Sequence, residues 1–242
     1  MAQLTPRVDV RRAGDRFTTD TGWWHSEHSF SYADHYDPGN THHGLLAVNN
    51  DDRLATGTGF DPHPHRDMEI VTWVLDGSLV HRDSTGGRGL IRPGLAQAMS
   101  AGTGVQHSES NDAPRSVHYV QMWVVPDEVG RVPGYQQADI AAELRTGERV
   151  PVASGLAGRD AAVRINAQAA LYAARLPPGG SVTLPDAAYL HLFVPRGTVT
   201  VEGAGALGPG DAVRFTATGG QRVTADAPAE VLVWEMHAAV GE

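Results

Sequence analysis

Two short strings in this sequence carry side chains that can do chemistry together, His63-Pro64-His65 and His107-Ser108-Glu109. In each string the two polar groups stand two positions apart. On an extended strand, positions i and i+2 face the same side, so each string can aim both groups at one point. If the two strands are neighbours, three imidazoles and one carboxylate meet. Such a set suits a divalent transition metal with coordination positions left open, because imidazole favours iron, nickel, copper or zinc and a carboxylate adds a hard anionic donor. Ligands on a helix would stand three or four apart, so this spacing points to a sheet. Gly57 and Gly59 precede the first string and Gly102 and Gly104 the second, where glycine lets backbones approach closely. Glu69, four positions beyond His65, offers a further ligand, an acceptor that holds a histidine tautomer, or a base.

The elements that must position these residues read as short strands between turns. The run 45–48 closes at the turn cluster 49–52, and the run 69–75 ends at Asp76-Gly77, a strong hairpin signal with 78–81 as the return strand. Pro93-Gly94 marks another turn, and 117–125 a further strand ending at Pro126. The segment 136–145 reads as a helix, with Ile140 and Leu144 at i,i+4 and Gly147 as its stop, and serves as a connector. Beyond it, 171–176, 189–194, 198–201, 212–215 and 231–235 are strands separated by Pro- and Gly-rich turns. Two successive all-β units of similar style imply a duplicated barrel.

The composition supports that frame and excludes several functions. The 242 residues are 41% hydrophobic, enough for a large core, and the 28 glycines and 15 prolines fit many turns. A net charge of −9 with no basic run argues against nucleic-acid binding. There is no cysteine, which removes disulfides, thiolate catalysis and thiolate ligation. The first 20 residues have no apolar signal region, and no apolar run is long enough to span a bilayer, so a cytoplasmic protein without membrane contact is expected.

Longer strings resemble the pirin family of the cupin superfamily. Gly57, five residues, His63-x-His65, three residues and Glu69 resemble the first cupin motif, and Gly104-x-x-His107-x-x-x-Asn111 the second. The strings 63–69, 79–84, 91–94 and 99–104, with His28-Ser29-Phe30-Ser31-Tyr32 and Tyr36-Asp37-Pro38, look like pirin itself. The likeness is strong over 23–126, and the overall size resembles short bacterial pirin-like bicupins with quercetin 2,3-dioxygenase activity. Asp61-Pro62 stands where relatives tend to have Gly-Thr, and Trp73 where tyrosine is common, which bears on substrate choice.

The resemblance implies an all-β bicupin: two tandem antiparallel jelly-roll barrels with a short connecting helix. The metal-binding domain would span 1–134, the connector 135–147, and a cupin-like domain without a metal site 148–242. It implies His63, His65, His107 and Glu109 as ligands of one divalent metal, iron(II) first, with manganese, nickel, copper, cobalt or zinc as alternatives. Glu109 or Glu69 would take the proton of a substrate hydroxyl. A monomeric dioxygenase would then open a flavonol such as quercetin with O2, releasing carbon monoxide. Two rival readings are a metal-bound regulator acting through a protein partner and a non-oxidative cupin isomerase. Outside the ligand set, His25, His28, His42 and His43 read as polar packing, and His81 and His118 as hydrogen-bonded strand residues. Trp23, Trp24, Phe30 and Tyr32 are candidates to line an aromatic pocket, and His191 and His237 form no second pair.

Overall fold

Nearly every apolar run becomes a strand, and the described residues form four stacked sheets, antiparallel but for the parallel edge pair Val150–Ser154 and Val163–Arg164. The computed structural model describes residues 4–241. In the first half a seven-stranded sheet runs in spatial order Gly134–Asp139, Leu95–Ser100, Glu69–Asp76, Val117–Val124, Leu46–Leu54, Trp24–His28 and Phe17–Asp20. A four-stranded sheet of Gly59–His65, Val105–Ser110, Leu79–Asp83 and Arg88–Ile91 covers one face of it. Leu54, Val74, Val117 and Tyr119 of the larger sheet meet Leu79 and Ile91 of the smaller one between them.

The second half repeats the plan strand for strand. Its central order Ala212–Thr216, Tyr189–Arg196, Ala229–Met236, Ala169–Leu176 matches Leu95–Ser100, Glu69–Asp76, Val117–Val124, Leu46–Leu54 of the first. Its small sheet, Ser181–Thr183, Arg222–Ala225, Val199–Val201 and Gly205–Leu207, matches the metal-candidate sheet in the same way. The expected tandem bicupin is therefore present. Each half is an open sandwich of two sheets, not a closed barrel.

Period-2 alternation explains why the central strands are apolar on both faces. On Glu69–Asp76, Ile70 and Val74 face the interior of the first half, while Val71, Trp73 and Leu75 join Leu171, Phe193, Leu232 and Trp234 of the second. The two large sheets thus pack face to face, and Trp73 donates its indole N–H across the joint to Glu230 at 2.7 Å.

Several expectations change, the first being the turn read at 49–52, which is the buried middle of the strand Leu46–Leu54. Asp76-Gly77 is a turn, with Gly77 at φ +76, but the strands it joins belong to different sheets, so it is a corner and not a hairpin. The helix expected over 136–145 is absent: Gly134–Asp139 pairs with Leu95–Ser100, and only Glu143–Thr146 forms a 3-10 turn, stopped by Gly147 in the left-handed region. An open sheet edge overrides the local helix preference there, although Ile140 and Leu144 are still buried in the joint. The connector therefore belongs partly to the first sheet, and the N-terminal strand Arg7–Arg11 pairs with Ala212–Thr216 of the second half.

Candidate metal centre

Both strings lie on the small sheet of the first half, on adjacent strands. His63 pairs with His107 and His65 with Val105, while Phe60 pairs with Glu109. Between these pairs the Gly59–His65 strand carries one extra residue, a β-bulge at Asp61-Pro62, where proline has no N–H to lose. The bulge also turns the Asp61 carbonyl onto the His63 ring, whose Nδ1 lies 2.9 Å from that oxygen. Gly59 is required opposite, since a Cβ there would sit 2.3 Å from the Glu109 carbonyl oxygen.

The ligating atoms of His63, His65 and His107 all lie within 4.8 Å of one another. A backbone carbonyl can only accept, so His63 donates Nδ1–H to Asp61 and keeps a lone pair on Nε2. That Nε2 faces Nε2 of His107 at 3.0 Å. His65 Nε2 is buried without a hydrogen-bond partner. Two nitrogens each ~2.1 Å from one ion at a right angle would stand about 3 Å apart. Three imidazole nitrogens that converge with a free lone pair on His63 and an unpartnered Nε2 on His65 form a donor set that fits a divalent metal.

The electrostatics agree with the donor chemistry. Burial, with His63 nearby, pushes His65 down to about 4. Burial and the same neighbours push His107 down to about 2. Both rings are therefore neutral, the form that binds metals. Glu109 is buried and accepts from the Gln121 amide at 2.8 Å, and Gln121 in turn accepts from the Trp123 indole at 3.1 Å. Burial, with the charge of Asp52, holds the Glu109 carboxyl up at about 7. Its oxygen lies within 4.8 Å of ligating atoms of His107 and His81, a second group that shares His107 with the first.

Aromatic rings flank the histidines on two sides. Phe60 stands edge-on to His63 at 6.2 Å and to Trp23 and Trp24 at 5.3 and 5.2 Å. Trp123 stands edge-on to His65 at 4.9 Å and to Tyr32 at 5.9 Å. Trp23 and Trp24 thus pack on Phe60, and Tyr32 on Trp123, each one ring removed from the metal-candidate histidines, whereas Phe30 is buried in the joint between the halves, under the Arg214 guanidinium.

Glu69 is not brought to this group. It shares the parity of Val71 and Trp73, so it faces the second half and accepts from Ser100 Oγ at 2.6 Å. It borders a cavity of about 320 Å³ with Asp127, Arg131 and Asn166. The chain reverses at Asp67, a non-glycine residue at φ +47, which resets the alternation after His65. His28 has both ring nitrogens engaged, with Asn50 and Thr19, as packing residues should. His43 bonds carbonyls of Leu190 and Phe215 across the joint.

His81 is hydrogen-bonded on its strand as expected, and its partner Asp83 is the residue of the site that the sequence alone does not mark. His81 and Asp83 form a third i,i+2 pair on Leu79–Asp83, the strand beside Val105–Ser110, opposite Glu109 and His107 respectively. The period-2 signal was present, but only the strand pairing gives it meaning.

The pirin family model matches residues 9–124, and the model of the quercetinase C-terminal cupin domain matches residues 152–236. A Mycobacterium tuberculosis protein named "Putative quercetin 2,3-dioxygenase Rv0181c" is 58% identical over 241 residues, 99% of each chain. The chain belongs to the pirin family. The Escherichia coli K12 protein named quercetin 2,3-dioxygenase is 34% identical to this pirin over 232 residues, 95% of this chain and 98% of that one. The bacterial pirin YhhW from Escherichia coli, solved in complex with nickel(II), superposes with a TM-score of 0.86 at 32% identity, covering 96% of this chain and 100% of that one. No helix among the described residues is long and apolar enough to cross a membrane.

Proposed function

We propose that this pirin is a metal-dependent dioxygenase that cleaves a flavonol, with quercetin as the test substrate. The observation that carries the reading is the convergence of three imidazole nitrogens, two of them 3.0 Å apart and the third buried without a hydrogen-bond partner. His63, His65 and His107 would hold the ion, iron(II) first, and Glu109 would complete the set from the side of His107. When bound, the metal supplies Lewis acidity toward a substrate oxygen and the redox chemistry by which dioxygen reacts.

The rest falls to the chain's own side chains. Glu109, buried beside His107, is the carboxylate placed to accept the proton of a substrate hydroxyl. Gln121 keeps that carboxyl in place through its amide, and Trp123 keeps Gln121 in place. Phe60 and Trp123 offer ring edges on either side of the histidines, a geometry that can hold a flat aromatic and keep water from it. The names of the Mycobacterium tuberculosis and Escherichia coli relatives point to the same substrate class.

The test is anaerobic reconstitution with iron(II), then addition of quercetin and air. Loss of flavonol absorbance together with oxygen uptake is the expected result. No uptake by metal-loaded protein overturns the dioxygenase reading and leaves the regulator or the isomerase.

A further inference from the structure

Behind His107, on the side away from His63, lies a chain of buried polar groups. His107 Nδ1 faces His81 Nδ1 at 3.4 Å, and His81 Nε2 faces Asp83 Oδ2 at 3.1 Å. The side chains of His81 and Asp83 are each 1% exposed. The Asp83 carboxylate is held by its own turn: Oδ1 accepts from Thr85 N at 2.9 Å, Thr85 Oγ1 at 2.7 Å and Gly87 N at 2.9 Å. The His81 ring is fixed in plane by Tyr135, stacked at 4.5 Å and 18°. Gly87 leaves the room this needs, since a Cβ there would meet Asp83 Oδ2 at 2.1 Å.

The proton positions follow from donors and acceptors. A carboxylate only accepts, so His81 donates Nε2–H to Asp83 and its Nδ1 keeps a lone pair. Two lone pairs face the His107 ring, that of His81 Nδ1 at 3.4 Å and that of His63 Nε2 at 3.0 Å; with the His63 lone pair given to the metal, the His107 proton belongs on Nδ1, donated to His81, and Nε2 is left unprotonated. The Asp61 carbonyl does the same for His63. We propose that His81 and Asp83 are positioning residues that hold His107 in the tautomer whose free Nε2 binds the metal. This rests on the reading of His63, His65 and His107 as ligands, and goes beyond it by assigning two residues that touch neither metal nor substrate.

The sharp variant is Asp83→Asn, which keeps shape and the turn. The three donors on Oδ1 require the amide oxygen there, which puts the NH2 group toward His81. His81 must then accept on Nε2 and donate from Nδ1, which forces the His107 proton onto Nε2 and blocks the ligand atom. Partners of this kind are worth roughly 10- to 100-fold in metal affinity.

Nitrogen-15 spectra of histidine-labelled, metal-free protein read the tautomer directly. Competition with a chelator reads nickel(II) affinity, and thermal melting reads folding. The expected results are Nδ1–H at His107 in the wild type, Nε2–H in Asp83→Asn, and a 10- to 100-fold weaker nickel(II) affinity in a variant that melts like the wild type. A wild-type His107 protonated on Nε2 overturns the proposal without any variant. So does wild-type nickel(II) affinity in Asp83→Asn when His63→Ala has lost it. If His63→Ala binds nickel(II) like the wild type, the ligand reading itself is overturned, whatever Asp83→Asn does.

Discussion

The two halves share one strand order and fill it with opposite chemistry. In the second half, Val182, Val199, Val201, Leu207, Val223 and Ala225 of the small sheet meet Leu190, Leu192, Val213 and Phe215 of the large one in a single apolar cluster. In the first half the same three adjacent strands present His63, His65, His107, Glu109, His81 and Asp83. The apolar contacts are split there into two separate clusters on either side of the polar group. The second half shows that the sandwich stands on apolar packing alone. Histidine in the first interior is therefore not required by the strand plan, and its clustering there fits a bound metal.

Replacing His107 by valine makes the first interior resemble the second, and it has the largest expected effect. Nickel(II) or iron(II) binding and oxygen uptake should fall by more than ~10²-fold, since a ligand matters at least as much as its supporting partners. Without metal, the same variant leaves the buried His81 Nδ1 without its donor, so it should lose no more than about 1–3 kcal/mol. Chelator competition and metal-free melting check the two halves of that statement. A variant that is much less stable even without metal would mean that His107 is structural.

The reverse test removes packing from the second half. Leu192 is fully buried in its interior, and Leu192→Ala should cost about 2–5 kcal/mol in urea unfolding. Metal affinity should be unchanged. A parallel loss of affinity would show that the second half does more than carry the first.

What the sequence made legible follows from how local each signal is. The i,i+2 spacing of His63, His65, His107 and Glu109 needs only a strand, and each pair indeed lies on one. Glu69 lies on the next strand, whose phase is not set by His65 because Asp67 at φ +47 breaks the run between them, and its side chain meets Ser100 instead of the histidines. His81 and Asp83 carry the same spacing but gain a role only from the strand beside them, a non-local fact. The helix over 136–145 had the right composition, yet the free edge at Leu95–Ser100 recruits 134–139 as a strand. The exchange of Arg7–Arg11 into the second half leaves no mark in composition at all.

The joint between the halves gives a smaller effect. Trp73→Phe keeps the ring in the shared core but removes the donor to Glu230, whose other side-chain partner is Arg175. A buried carboxylate losing one of its donors costs about 1–3 kcal/mol, read as a lower midpoint in urea with metal affinity intact.

The smallest effect comes from His43, which reaches from the first half to two carbonyls of the second. Burial, with the charge of Arg214, pushes it down to about 4 from its ordinary 6.5. Between these values the unfolded chain binds a proton that the folded one does not, so stability rises with pH. The contribution is complete above about 6.5 and is lost as pH falls toward about 4, by at most ~1.4 kcal/mol per pH unit for one group. His65 and His107 act in the same direction in metal-free protein, so the slope alone does not identify its source. Comparing metal-free wild type with His43→Gln does: urea unfolding between pH 4 and 6.5 should show a shallower slope in the variant. An unchanged slope would mean that His43 does not contribute to the acid sensitivity.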